Sequence, residues 1–462
     1  MTLIAQIRRE YPLLLRLALP LIGAELGWML MNFVDLAMVG RIGSTALAAV
    51  SVGNAVYIIF AIVAEGMMMG LDAVASQAYG AGKLEECHKS LWAGLQLAVP
   101  LALAMVTVNW WSAPLLPALS IPTEVCAQAT TFMHALGWSL LALVPYFALR
   151  RYLQAMHMVK VITFAMISAN LFNAFFNWVL IYGHLGFPAM GAEGSGWSTT
   201  LARVYTMLVL GSYAAWQSRK RGFHLFSYAA HAQWRLMREV VRLGGPAAGQ
   251  IALEVGVFSA STLLIGRLGP IAVGGHQIAL ALASCTFMVP LGISSATAVR
   301  VGNAIGRRDI HAAEVSGWTG VTVSVSFMTC AALAFWLMPG ALVALFTNDA
   351  AVSAIAVKLL AIAAVFQMFD GTQVTAIGAL RGSGDTRWAM LSNIVGWWMI
   401  GLPIGAYLCF GRGWGAAGIW TGLCVGLIMI GCMLAFAWRR RMVRMKRDSK
   451  ANCDLAPAQT LL

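Results

Sequence analysis

Long apolar stretches, interrupted by short polar ones, run through almost the whole chain. Four of them, residues 90–123, 315–348, 388–411 and 413–438, contain no Asp, Glu, Lys or Arg. A stretch of about 18 or more apolar residues is long enough to cross the hydrocarbon layer of a bilayer, roughly 30 Å, as a helix. The pattern predicts twelve such spans, near residues 13–38, 46–71, 90–112, 127–149, 160–182, 195–216, 244–265, 270–296, 315–338, 354–379, 388–410 and 414–437.

The composition agrees with a chain that lives in a membrane. Of the 462 residues, 60% are hydrophobic and 11% are charged, and the mean hydropathy is +0.76. A soluble domain carries about 25% charged residues because its surface faces water. The eight cysteines are scattered and lack the paired spacing of a zinc site or a disulfide framework. We therefore predict an all-α integral membrane protein with twelve transmembrane helices.

The distribution of basic residues predicts the orientation of these helices. If the N-terminus is cytoplasmic, 26 of the 31 Lys and Arg residues fall in cytoplasmic segments, where membrane proteins concentrate positive charge. This count places Arg150 and Arg151 in a cytoplasmic loop and Arg203 near a helix end. Both termini are then expected in the cytoplasm. The few basic residues in the predicted external loops are Arg41, Arg267 and Arg412.

The net charge of +13 is explained by the same loops, so nucleic acid is not an expected partner. The basic tail, residues 439–462, is expected to lie near the anionic lipids of the cytoplasmic leaflet. These observations predict a multi-pass protein of the cell inner (cytoplasmic) membrane whose partners are membrane lipids and small molecules. We expect a monomer.

An internal repeat predicts two lobes. The sequence Gly40-Arg41-Ile42-Gly43 recurs as Gly266-Arg267-Leu268-Gly269, and the same offset of 226 residues carries Ala78 and Gly80 of SQAYGAGK onto Ala304 and Gly306 of VGNAIGRRD. Six spans in each half give two pseudo-symmetric six-helix lobes, an arrangement typical of alternating-access transporters. The expected divisions are an N-terminal lobe 1–216, a cytoplasmic linker 217–243, a C-terminal lobe 244–438 and the tail 439–462.

Ionisable side chains inside a membrane are costly and usually functional. On span 1, Glu25, Trp28, Asn32 and Asp35 recur at helical spacing and form one polar stripe. The alternative to a functional role, for this stripe and for the asparagines of span 5, is that the side chains form hydrogen bonds between helices. For carboxylates without a nearby Lys or Arg we favour a functional role. Other polar candidates are Glu65 and Asp72 in span 2, Asn170, Asn173 and Asn177 in span 5, Glu254 in span 7, and Asp370 in span 10.

The sequence predicts the energy source of transport, both by the motifs that it lacks and by the acids that it contains. It has no phosphate-binding GxxxxGK[ST] motif and no HExxH or Cys/His cluster, so we predict no cofactor and no enzymatic activity. Buried carboxylates instead bind the ions of a gradient, either H⁺ or Na⁺, and Glu254 with Asp370 is the candidate pair for Na⁺. The additional acids Glu25 and Glu65, taken as uncompensated, favour H⁺ slightly, because an isolated buried carboxyl group tends to stay protonated.

Several segments resemble the multidrug and toxic compound extrusion (MATE) family, in particular its NorM-like bacterial branch. LALPLIGAELGWMLMNFVDLAMVGRIG is similar to the opening helix of the family, with Asp35 at its acidic position. ALEVGVFSASTLLIGRLG puts Glu254 on the acidic residue of span 7, and FQMFDGTQVTAIGALRGSGDTR puts Asp370 in the acidic position of span 10, with Gln373 nearby. Asn173 and Asn177 resemble the pattern of the fifth span. The likeness extends from about residue 10 to residue 438.

The resemblance implies an antiporter that exports amphipathic, aromatic organic cations such as drugs and dyes in exchange for H⁺ or Na⁺. It also implies that Asp35, Glu254 and Asp370, with the neighbouring Asn32 and Gln373, bind the coupling ion or the substrate. Glu25 departs from the family pattern as an additional acid, as does Glu65. The alternative within transport is a lipid-linked precursor flippase of the same superfamily, for which we would expect a more basic cavity.

Overall fold

The computed structural model describes residues 3–119, 121–222, 225–229 and 231–455, and the regular structure within them is helical throughout. The first half contains α1 (Leu3–Val39), α2 (Ser44–Met68), α3 (Leu71–Gly80), α4 (Leu84–Ser112), α5 (Thr123–Gly137), α6 (Leu140–Ala155), α7 (Val159–Tyr182) and α8 (Ala192–Lys220). The second half contains α9 (Trp234–Gly266), α10 (Pro270–Gly306), α11 (Ile310–Leu337), α12 (Pro339–Ala344), α13 (Ala350–Gly382), α14 (Arg387–Asn393), α15 (Leu402–Ala406) and α16 (Ala416–Leu455).

The helices confirm the predicted all-α membrane fold. Ten helical segments of the described chain are long and apolar enough to cross a bilayer, and the pair α5 and α6, bent by 44° at a short break, makes an eleventh. The predicted span 195–216 corresponds to α8, which is long enough to cross but too rich in Gly, Ser and Thr to reach the same hydropathy. With α8 the helices provide the twelve spans that the sequence predicts.

The helix of the eleventh span departs from regular α-helical geometry. Residues Ile394–Gly401 and Tyr407–Gly411 are π-helical, and the short α15 lies between them. Wide turns of this kind inside membrane helices are frequent at functional sites. The irregular stretch begins directly after Asn393, a buried polar residue.

The chain divides into two compact units. The N-terminal unit consists of Gly23–Tyr79 and Lys83–Ala248, and the C-terminal unit consists of Met1–Ile22, Gly80–Gly82 and Gly249–Leu462. Residues 1–22 therefore group with the second half of the chain. One reason is an ion pair in which both Nε and Nη2 of Arg300 contact the Glu10 carboxylate, at 2.7 and 2.6 Å.

The predicted linker and tail are largely helical where the structure describes them. Helix α8 extends to Lys220 and α9 begins at Trp234, so less chain connects the two helices than the predicted segment 217–243 contains. Helix α16 continues through the predicted tail as far as Leu455, and residues 456–462 lie outside the described part of the chain. The predicted lobe boundaries stay a prediction.

Three arginines lie in the interior of the N-terminal unit, which corrects their predicted positions. Arg150 and Arg151, expected in a cytoplasmic loop, are 2% and 1% exposed on α6. Arg203, expected near a helix end, is 3% exposed in the body of α8. The positive-inside count treated Arg150 and Arg151 as loop residues and set Arg203 apart as a residue near a helix end, whereas all three side chains are buried within the unit.

Candidate functional site

A buried carboxylate joins three helices in the N-terminal unit. Asp35 of α1 is 8% exposed. Its Oδ1 accepts a hydrogen bond from Asn177 Nδ2 of α7 at 2.6 Å, and its Oδ2 accepts one from Thr199 Oγ1 of α8 at 2.9 Å. Both carboxylate oxygens are therefore held by neutral donors, which stabilise the charge without cancelling it.

The asparagines of α7 extend this arrangement. Asn177 Nδ2 also donates to Asn173 Oδ1 at 3.1 Å, and Asn173 Nδ2 lies 3.4 Å from the Thr199 hydroxyl. We refer to Asp35, Asn173, Asn177 and Thr199 as the Asp35 cluster. The structure thus brings together three of the residues nominated from the sequence. A fourth, Asn32, lies half-buried one turn before Asp35 on α1.

Helices α1 and α8 meet again at the level of Trp28. The guanidinium carbon of Arg203 lies 3.4 Å from the centroid of the Trp28 ring, within cation–π distance. Trp28 also stacks on Phe147 of α6, with ring centroids 6.1 Å apart. An arginine thus covers one of the aromatic residues of the polar stripe, two turns from Asp35.

Glu25, nominated as a binding residue and as an uncompensated acid, is paired. Its Oε1 contacts Nη2 of Arg150 in a buried salt bridge, with side-chain exposures of 8% and 2%. The expectation of a free carboxylate at Glu25 is therefore wrong. Its partner lies 125 residues away in the sequence, where no helical spacing reveals it.

Arg151 connects two further acids in the same way. Its Nη2 lies 3.0 Å from Glu65 Oε1 and its Nη1 lies 3.5 Å from Asp72 Oδ2. The expectation that Glu65 lacks a basic partner is also wrong. Asp72 lies in the first turn of α3, where its contact with Arg151 anchors this helix end to α6.

The second acidic site lies in the C-terminal unit. Glu254 of α9 accepts hydrogen bonds from two neutral amides: Gln250 Nε2 contacts Oε2 at 2.7 Å, and Gln373 Nε2 of α13 contacts Oε1 at 3.0 Å. Asn393 of α14 in turn donates to the main-chain oxygen of Gln250 at 3.1 Å. The carboxylate is therefore oriented by amides from three helices.

Asp370 completes this site, which we refer to as the Glu254 site: Gln250, Glu254, Asp370, Gln373 and Asn393. Asp370 is 8% exposed on α13, the helix that also carries Gln373. Among the described residues neither acid forms a salt bridge with Lys or Arg. The side-chain oxygens of Gln373 and Asn393 are buried and have no hydrogen-bond partner in that part of the chain. Two carboxylates and two free amide oxygens suit a hard monovalent cation or a proton.

Sequence reasoning missed several of these residues. Gln250 lies four residues before Glu254, on the same face of α9, and this spacing is a signal that could have found it. Asn393, Thr199 and Arg203 carried no such signal, because each lies in a different span from the acidic residue near which the structure places it. In the described residues no group of three or more His, Cys, Asp or Glu side chains forms a metal site.

Comparison with known proteins connects both sites to one family. The family model described as MatE matches residues 20–179 and 246–407, which include Asp35, Glu254 and Asp370. A probable multidrug resistance protein NorM of Brucella suis is 34% identical over 450 residues, covering 96% of this chain and 96% of the relative. The protein of the same name from Xanthomonas axonopodis pv. citri is 36% identical, covering 93% and 94% of the two chains.

Solved structures share the fold at lower sequence identity. The eukaryotic MATE transporter AtDTX14 superposes with a TM-score of 0.85 at 20% identity, over 96% of this chain and 99% of that one. The Vibrio cholerae MATE transporter VcmN in its bent form superposes with a TM-score of 0.83 at 18% identity, over 96% and 99% of the two chains. These likenesses establish the fold independently of the close relatives.

Proposed function

Because this chain belongs to the multidrug and toxic compound extrusion (MATE) family, we propose that it is a cation-coupled multidrug antiporter that exports amphipathic organic cations. The relatives that match over more than nine-tenths of both chains are named as probable multidrug resistance proteins. The transporter belongs to the inner membrane and exchanges its substrate for H⁺ or Na⁺. Transport, not catalysis, is its activity.

The observation that carries this proposal is the pair of acids in the Glu254 site. Glu254 and Asp370 lie in a membrane-embedded unit, without a basic partner among the described residues. Uncompensated negative charge at low dielectric is costly, so such a site takes up a proton or a cation. A site that carries excess negative charge when empty favours the exchange of one cation for another.

Exchange follows if the coupling ion and the drug compete for the same or linked carboxylates. Binding of H⁺ or Na⁺ at Glu254 and Asp370 removes the negative charge that holds an organic cation and so releases it. Alternating access then moves the loaded site between the two sides of the membrane. The amides of Gln250 and Gln373 keep the Glu254 carboxylate oriented in both states.

The flippase alternative is not favoured. A transporter of anionic lipid-linked precursors needs basic groups free to bind phosphate. In the described chain, the buried Arg150 and Arg151 contact carboxylates of their own unit instead, and the buried Arg203 lies on the face of Trp28. The comparisons with multidrug resistance proteins point the same way.

Substitution of the acid pair tests the proposal. Glu254→Gln and Asp370→Asn are each expected to abolish ethidium efflux from cells, because a neutral amide carries no negative charge to balance the coupling ion or to attract the drug cation. Glu124→Gln, at an exposed acid in the first turn of α5, is the matched control and should leave efflux unchanged. Normal efflux by both site variants at wild-type expression would exclude the Glu254 site as the transport site.

The structure removes the reason for preferring H⁺ as the coupling ion. That preference rested on Glu25 and Glu65 as uncompensated acids, whereas both contact arginines. The free amide oxygens of Gln373 and Asn393 add oxygen ligands suited to Na⁺. We therefore expect an imposed Na⁺ gradient at constant pH to drive dye efflux from proteoliposomes, even with a protonophore present. Efflux driven only by a pH gradient would assign the coupling to H⁺.

A further inference from the structure

Arg203 is a buried cation whose contacts differ from those of the other buried arginines in the N-terminal unit. Arg150 and Arg151 each contact a carboxylate directly. Arg203 is 3% exposed, and in the part of the chain that the structure describes it forms no salt bridge. Its Nε is buried without a hydrogen-bond partner there. Its guanidinium carbon lies 3.4 Å from the centroid of the Trp28 ring, whose face is electronegative.

Burying the charge of Arg203 in such a position costs free energy, which points to a function for the charge. A cation taken from water into a membrane-embedded unit loses its hydration, and a ring face replaces only part of it. Charged residues at these depths commonly mark substrate or ion pathways. The contact with Trp28 is the kind that proteins use to hold ligand cations. Here the cation belongs to the chain itself.

The helix geometry places this cation beside the Asp35 cluster. On α8, Thr199 and Arg203 lie one turn apart, and on α1, Trp28 and Asp35 lie two turns apart on one face. Thr199 donates to Asp35, while Arg203 covers Trp28. The guanidinium group therefore lies on the Trp28 ring, one turn along α8 from the residue that contacts the Asp35 carboxylate.

We propose that Arg203 is a tethered cation that fills an organic-cation subsite formed by Trp28 and Asp35, and so excludes drug cations from the N-terminal unit. This inference rests on the proposed transport of organic cations. The ligand class of the subsite is a monovalent cation with a flat or aromatic charged group, which the guanidinium imitates. Arg203 is therefore a specificity-determining residue: it leaves the uncompensated acids of the Glu254 site as the place where an exported cation binds.

Removal of the tethered charge should expose the subsite. Ethidium binding is measured by fluorescence on purified full-length protein in detergent. The double variant Glu254→Gln/Asp370→Asn is expected to lose binding. Adding Arg203→Met should restore it to within about ten-fold of the wild-type affinity, because the apolar side chain no longer repels the dye from the ring and the carboxylate. Adding Asp35→Asn to this triple variant should abolish binding again.

Two matched controls separate charge from local disturbance. Arg203→Lys in the same double-variant background keeps a tethered positive charge and should not restore binding. Arg219→Met removes an exposed arginine at the end of α8 and should not restore it either. A folded, monodisperse triple variant that fails to bind ethidium would overturn the proposal, as would restored binding that survives Asp35→Asn.

A second measurement does not depend on drug transport. In Arg203→Ala, otherwise wild type, ethylguanidinium is expected to raise the thermal unfolding temperature, because it replaces the missing side-chain group beside Trp28. The neutral ethylurea should have no such effect, and neither compound should stabilise the wild-type protein comparably. Equal responses of Arg203→Ala and wild type would overturn the proposal even if Arg203→Met does not fold. If the wild type itself fails to bind ethidium, the proposed function fails, but this second measurement still decides the role of Arg203.

Discussion

Neighbouring basic groups separate the membrane-embedded acids into two kinds. Glu25 and Glu65 contact arginines of α6, so each carboxylate has a positive charge directly beside it. Glu254 and Asp370 have amide partners or each other, and no salt bridge with a basic residue in the described chain. In the proposed mechanism, the second kind takes up the coupling cation or proton. The same residue type would then serve packing in one unit and ion binding in the other.

The Glu25–Arg150 pair gives a prediction at this scale. Glu25→Gln leaves a buried guanidinium without its counter-charge, so we expect a loss of about 3–5 kcal/mol in stability, seen as a lower unfolding temperature in detergent. The double variant Glu25→Gln/Arg150→Met removes both charges and should recover most of that loss. A double variant no more stable than Glu25→Gln alone would show that the pair does not act as a unit.

The sequence predicted the identity of the acids better than their surroundings. Asp35, Glu254 and Asp370 were recognisable because an acid in a long apolar stretch is conspicuous. The side chains that contact the embedded acids were harder to recognise, because they lie in distant spans. Arg150 is 125 residues from Glu25, and Gln373 is 119 residues from Glu254. Periodicity along one helix reports which residues share a face, but not which helix that face meets.

Close helix packing explains how polar residues of different spans reach one another. Helices α10 and α13 approach at small residues: a Cβ built on Gly378 would lie 2.3 Å from the Ser294 main-chain oxygen, and one on Gly382 would lie 2.2 Å from that of Ala298. Ser294 Oγ also donates to the main-chain oxygen of Val374 at 2.7 Å. Small residues four apart let two membrane helices come into backbone contact. This contact fixes the helix that carries Asp370 and Gln373.

Gly378→Val should therefore separate α10 from α13. The added side chain has no room beside the Ser294 backbone, so we expect reduced expression of folded protein and a lowered unfolding temperature, with ethidium efflux reduced in proportion. Gly245→Ala is the matched control, since a Cβ on this glycine of α9 meets nothing within 4 Å. That control should be neutral or slightly stabilising, because Ala favours a helix over Gly by about 1 kcal/mol. Equal stability of Gly378→Val and the wild type would contradict the packing argument.

Sequence reasoning worked well for helices with uniform hydropathy and less well for irregular ones. Helix α7 (Val159–Tyr182) begins and ends within a residue of its predicted span. The predicted span 127–149 is instead two helices bent at a short break after Gly137, and the eleventh span is partly π-helical. Hydropathy measures whether a stretch suits a membrane, whereas breaks and wide turns depend on how neighbouring helices pack.

At the scale of the whole molecule, the internal repeat correctly indicated two units. The units that tertiary contacts define begin and end at other residues than the two copies of the repeat. Residues 1–22 group with the C-terminal unit through contacts such as Glu10 with Arg300. Residues 217–248 group with the N-terminal unit, where Gly66 of α2 lies so close to Ala248 that a Cβ on the glycine would be 2.4 Å from its Cα. A repeat identifies only the duplicated sequence. Tertiary contacts also assign the helix end that precedes each copy to one of the two units.

The orientation of the chain in the membrane gives the last prediction. Although Arg150 and Arg151 are buried and do not count as loop charges, the remaining basic residues still lie overwhelmingly in the predicted cytoplasmic segments. In a cysteine-free background, single cysteines at the exposed positions Lys83, Lys220 and Arg307 should be shielded from an impermeant thiol reagent in intact cells. Cysteines at the exposed positions Gly43 and Asn348 should react. All five should react after permeabilisation, which serves as the control for accessibility. The reverse pattern in intact cells would place both termini outside and invert the direction in which the Glu254 site must release its cation.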